Sequence, residues 1–185
     1  MHRRFAFALA AALLAACSDH SDVPTASPDA ALTGGTALDA AGVPTTAEVE
    51  FGIEEGSVGS NFPPGSHDRS FHAFDKVRPH TVTIARGGSV TYEIYPLHQP
   101  AVFEPGTRPE DVDTSQTEPI AVFPVLERIV IDDPGLLALA PDQSLEEKEW
   151  TTPPGTFDEP GTYLVICTTF VHFVEAKMYG WVIVK

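Results

Sequence analysis

Gly161-Thr162-Tyr163-Leu164-Val165-Ile166-Cys167 and Trp181-Val182-Ile183-Val184, separated by a stretch that holds His172 and Met178, close this 185-residue chain. Dense β-branched and aromatic runs of this length read as buried strands. Cys167, His172 and Met178 therefore belong to the loop joining the last two strands. Pro153-Pro154-Gly155 and Glu159-Pro160-Gly161 punctuate the approach. Upstream, Thr81 to Ile84 and Val90 to Tyr95 alternate with period two, and Arg86-Gly87-Gly88 lies between them, which predicts a hairpin. Many short strands with Gly and Pro turns predict an all-β antiparallel sandwich or barrel.

Sulfur is scarce, which makes each sulfur informative. The only cysteines are Cys17 and Cys167, and the only methionines are Met1 and Met178. His2-Arg3-Arg4 followed by the apolar run Phe5 to Ala16, too short to span a bilayer, reads as a signal peptide over residues 1–16. Leu14-Ala15-Ala16-Cys17 resembles the lipobox of bacterial lipoproteins, which implies lipidation of Cys17 as the first mature residue; a plain signal peptide with unmodified Cys17 is the alternative. Ser18, standing where an aspartate would signal inner-membrane retention, leans toward the outer membrane. The expected location is the bacterial cell envelope, facing the periplasm. There, lone thiols oxidise or pair. With Cys17 occupied by lipid, Cys167 reads as a buried inert thiol, an intermolecular disulfide or a metal-bound thiolate, and the nearby His and Met favour the last.

The formal charge is −15, and loss of the signal peptide, which carries Arg3 and Arg4 and no acid, makes it more negative. Such a chain does not bind nucleic acid or an anionic membrane through its charge, so contact with a membrane is expected through the N-terminal lipid only. A cationic protein face suits it as a partner, although acidity that serves solubility alone needs no partner. Residues 17–46 are poor in large apolar side chains and read as a disordered tether. One domain is then expected over 47–185. Within it the acidic stretch at about 104–150 reads as an insertion, its segment Leu136 to Ala140 as a short helix. Asp132-Asp133 and Glu146-Glu147 read as solvated surface, because no glycine-spaced calcium loop accompanies them. There is no Gly-x-Ser-x-Gly elbow, His-Glu-x-x-His pair, phosphate loop or dinucleotide fingerprint, and the chain is not read as an enzyme.

His98 lies just past the strand that ends near Tyr95. With it, one thiolate, two imidazoles and one thioether are on offer, the soft sulfur and nitrogen set of a mononuclear electron-transfer copper site. Zinc on Cys and two His is the rival, but zinc gains little from a thioether. A Cys-His nucleophilic pair can also be written from Cys167 and His172; its strand-to-strand setting beside Met178 favours coordination.

Leu97-His98-Gln99-Pro100-Ala101-Val102-Phe103-Glu104-Pro105-Gly106 is similar to the segment around the first histidine of the cupredoxins, the blue copper proteins. The run Gly161-Thr162-Tyr163-x-x-x-Cys167, then His172, then Met178-Tyr179-Gly180-Trp181-Val182-Ile183-Val184, resembles their C-terminal signature. The resemblance covers roughly Phe71 to Phe103 and Gly155 to Lys185 and leaves the acidic stretch unmatched. It implies a Greek-key β-sandwich holding one copper ion, with His98, Cys167 and His172 in a trigonal plane and Met178 as weak axial contact. It further implies electron exchange with a redox partner protein. Gln99 is placed to fix the loop or donate toward the sulfur. Met178 follows His172 by one position more than common loops of the family, and Glu175 stands inside that loop; facing inward it would make a harder, wetter site, and it is read as facing solvent. His80 is the reserve for the upstream ligand, while His20, His67 and His72 are read as ordinary surface or core residues. A copper storage or delivery protein, and a metal-free interaction domain of the same fold, are the alternative readings of function.

Overall fold

The computed structural model describes residues 37–52, 76–120 and 123–185. The signal segment, Cys17, most of the expected tether, and His20, His67 and His72 lie outside the described residues. The elements are β1 (Thr46–Gly52), β2 (Lys76–Arg78), β3 (Thr81–Ile84), β4 (Ser89–Ile94), β5 (Pro100–Pro105), β6 (Thr117–Ile120), β7 (Phe123–Ile129), β8 (Leu136–Leu139), β9 (Lys148–Thr151), β10 (Gly161–Cys167), α1 (Phe170–Val174) and β11 (Tyr179–Val184). The all-β sandwich is formed by a sheet of order β2-β1-β4-β9 and a sheet of order β3-β11-β10-β5-β8, with β6 and β7 as a separate hairpin. The chain is held from Ala37 onward: Thr45 donates its amide to the Ala37 carbonyl at 2.8 Å, and Pro44 accepts from the Ala85 amide.

Two expectations are corrected here. The segments flanking Arg86-Gly87-Gly88 are not a hairpin, since β3 pairs parallel with β11 in one sheet and β4 pairs parallel with β1 in the other. The sandwich is therefore mixed rather than purely antiparallel. Gly87 has φ +73, and a Cβ on Gly88 would sit 2.5 Å from the Thr45 carbonyl oxygen, so these glycines make a corner between layers. A period-two pattern reports which residues face inward and not which strand lies alongside. Val82 and Ile84 of β3 meet Val90, Tyr92 and Ile94 of β4 across the core instead of beside it.

Of Leu136 to Ala140, expected as a short helix, Leu136–Leu139 is strand β8, paired antiparallel with β5 at the edge of the second sheet. Pairing with a neighbour overrides the weak intrinsic preference of Leu and Ala for helix. The stretch 104–150 thus supplies β8 and β9 to the edges of the two sheets and the β6–β7 hairpin beside them. That hairpin explains the unbroken apolar run of β10. Tyr163, Val165 and Cys167 face the core between the sheets, whereas Leu164 and Ile166 face a second core with Ile129 of β7, Phe173 of α1 and Trp181 of β11. A strand covered on both faces has no reason to alternate.

Candidate metal centre

β5 and β10 are antiparallel neighbours, and Cys167 stands opposite Pro100 in their register. The loop leading into β5 and the loop leaving β10 consequently emerge side by side, which places His98 near Cys167 although the two are far apart in sequence. A third, smaller apolar cluster of Leu97, Ile120 and Leu126, with Val171 packed on it, covers this pole. His98 and His172 are each 2% exposed, Met178 is 1% and Cys167 fully buried.

The second loop organises itself locally. Thr169 precedes α1, and its carbonyl accepts from the amides of His172 and Phe173 at 3.0 and 3.1 Å. Phe173 anchors the turn in the second core, which leaves His172 on the inward side. Met178 donates its amide to the His172 carbonyl at 2.9 Å, and its own carbonyl accepts from the Cys167 amide at 3.1 Å. Cys167 Sγ lies 3.7 Å from His172 Nδ1. Metal–sulfur and metal–nitrogen bonds of about 2.3 and 2.0 Å meeting at a trigonal angle separate their donors by about 3.7 Å. This pair therefore fits a shared ion.

His98 comes from a loop under constraint. Leu97 has φ +69, a conformation unfavourable for a residue with a side chain. It is held by its amide on the Ser144 carbonyl at 2.8 Å and by Thr169 Oγ1 donating to its carbonyl at 2.7 Å. His98 Nδ1 lies 3.2 Å from the Tyr95 carbonyl oxygen. The His98 and His172 rings are 4.5 Å apart between centroids. Beneath His98 runs the end of β1: a Cβ on Gly52 would come within 2.8 Å of His98 Nδ1 and of Tyr95 Cβ, and Gly52 has φ +128. Among the described residues, no group of three or more His, Cys, Asp or Glu side chains is arranged to hold a metal ion as it stands. Cys167 and His172 are in contact, and the ring of His98 lies beside that of His172.

The other residues singled out in the sequence fall outside this group. Glu175 is exposed, as expected. His80 is also exposed, with its ring edge-on to Tyr179 at 5.6 Å, on the outside of the sandwich. Gln99 fixes the loop, because its Nε2 donates to the Ala140 carbonyl at 2.8 Å and its Oε1 accepts from Thr168 Oγ1 at 2.7 Å. Gly52, Leu97, Gln143, Thr168 and Thr169 were not singled out in the sequence. Thr168 and Thr169 could have been noticed as the two hydroxyls directly after Cys167; nothing in the acidic stretch marks Gln143.

Similar strand arrangements occur in solved structures. Reduced auracyanin from the photosynthetic bacterium Roseiflexus castenholzii is 19% identical, with 78% of this chain and 99% of that chain covered and a TM-score of 0.47. A purple cupredoxin from Nitrosopumilus maritimus is 14% identical over 75% of this chain and 99% of that one, with a TM-score of 0.36. A mutant fern plastocyanin is 22% identical over 75% and 99%, with a TM-score of 0.37. No protein-family model and no curated protein matches the chain.

Proposed function

We propose that this chain is an extracytoplasmic electron carrier that holds one copper ion on His98, Cys167 and His172, with Met178 as the weak axial contact. The observation that carries the reading is the buried meeting of Cys167 Sγ with His172 Nδ1 at 3.7 Å beside the ring of His98. A thiolate and two imidazoles suit both oxidation states of copper, and a bound copper would supply a one-electron couple. The chain's own part is to hold the donors still. Cys167 ends a strand bonded on both sides, His172 is fixed by α1, and His98 is wedged above Gly52. Near-complete burial of both imidazoles keeps water off the donors, which favours retention of the ion over rapid delivery to another protein.

In the same reading Cys17 is lipidated and tethers the domain to the periplasmic side of the envelope, at the outer membrane. The redox partner presents a cationic face. Exposed acids on β1, β4 and β9 support that choice: Arg78 of β2 stands opposite Glu50 at one end of the row, while Glu93 lies between Glu50 and Glu149, and like charges directly opposite repel unless a cation meets them.

Copper-loaded protein is expected to show an intense visible band from thiolate-to-copper charge transfer, with Cys167→Ser abolishing it. A colourless protein that binds copper only weakly overturns the reading.

A further inference from the structure

We propose that Gln143, on the loop between β8 and β9, is a positioning residue that locks the two ligand loops together and keeps Cys167 shielded. The inference rests on reading this pole as the metal centre. Gln143 is a polar side chain only 7% exposed, and burial of an amide is costly unless its hydrogen bonds are made. Its Nε2 donates to Thr168 Oγ1 at 2.9 Å and reaches Thr169 Oγ1 at 3.5 Å. From there two branches run. Thr168 Oγ1 donates to Gln99 Oε1 at 2.7 Å, while Thr169 Oγ1 donates to the Leu97 carbonyl at 2.7 Å. One amide thus reaches both residues that flank His98, through the two residues that follow Cys167.

The polarity of the network is fixed. Each threonine hydroxyl has one proton, already committed to the His98 loop, so it can only accept from Gln143, and an amide nitrogen with two protons is the group that serves both. The neighbouring backbone points the same way, with Ser144 accepting from the Leu97 amide, Ala140 from Gln99 Nε2 and Gln99 from the Thr168 amide. Leu97 at φ +69 relaxes unless it is held. An apolar residue at 143 would fill the space and leave both hydroxyl oxygens without a donor. The acidic stretch, through this loop, then serves the site directly.

The test uses the full chain without metal. Alkylation of Cys167 by iodoacetamide, followed by mass spectrometry of its peptide, reads how often the loops part, since the thiol is fully buried. Gln143→Leu is expected to raise that rate about tenfold, the effect of losing one buried hydrogen bond on local opening. Thr156→Val loses a hydrogen bond to the Pro153 carbonyl at the opposite end of the sandwich and should leave the rate unchanged. If Gln143→Leu does not fold, Thr168→Val and Thr169→Val cut one branch each and should each raise the rate. A rate in Gln143→Leu no higher than in Thr156→Val, or unchanged rates in both threonine variants, overturns the proposal. Because the measurement needs no metal, a colourless copper-treated protein would sink the copper reading and leave this result standing.

Discussion

His98 sits on a loop held from outside, whereas His172 sits on one that holds itself. The Leu97–Gln99 segment takes its anchors from Ser144, Thr168, Thr169 and Ala140 and rests on Gly52, all distant in sequence. The segment from Thr168 to Met178 closes on its own backbone, with Thr169, Val171 and His172 carbonyls accepting from amides a few residues on, and Phe173 reaching into the second core. A self-closed loop keeps its shape wherever its anchor residue packs. A loop held from outside keeps its shape only while several other segments are in place, so it responds to changes made far from itself.

Substitutions should separate the two modes. Phe173→Ala removes the anchor of the self-closed loop and is expected to cost about 4 kcal/mol, the usual loss for a buried phenylalanine. It should disturb His172 before His98, as read by the ring resonances of the two histidines during denaturant unfolding. Gly52→Ala acts on the other loop from beneath, through a strained φ and a Cβ 2.8 Å from His98 Nδ1, at about 3 kcal/mol. Its ring signature should be the reverse. Equal disturbance of both rings by either variant would erase the distinction.

Smaller effects sharpen it. Lys177 is exposed at φ +55, just past α1, so Lys177→Gly should stabilise the self-closed loop by about 1 kcal/mol, seen as a higher thermal midpoint. Asp142 belongs to the outside scaffold of His98. Its carboxyl is held below the usual 3.8, chiefly by the hydrogen bond from Arg128, which also donates to Glu118 at 2.6 Å and so ties the β6–β7 hairpin to this loop. A lowered folded value contributes stability that is present above pH 3.8 and is lost as pH falls through the folded value. Because Asp142 is largely exposed, the contribution stays under about 1 kcal/mol. Titration of the wild type against Asp142→Asn should show a difference above pH 3.8 that closes under stronger acid, with the His98 ring the more affected of the two.

The difference between the loops also governs what could be read in advance. Cys167, His172 and Met178 sit close together in sequence, and the turn that gathers them is local, so their spacing already carries the loop. The dense run of β10 announced a buried strand because both of its faces are covered. By contrast, the partner of each strand was hidden, and β3 and β4 look like a hairpin although they lie in opposite layers. β8 has the composition of a helix and becomes a strand because β5 offers an edge. Gln143 sits among exposed acids, and only the approach of its loop to Thr168 and Thr169 makes it interior.

Residue chemistry alone determined the candidate donor set, the strand-rich character and the local loop between the last two strands, since identity and short-range spacing are written directly in the chain. Tertiary structure alone decided which strands neighbour one another, that His98 meets His172, and that a glutamine from an acidic stretch joins them. Those outcomes depend on backbone pairing and burial between segments far apart in the chain, and no local pattern encodes the distance between two such segments.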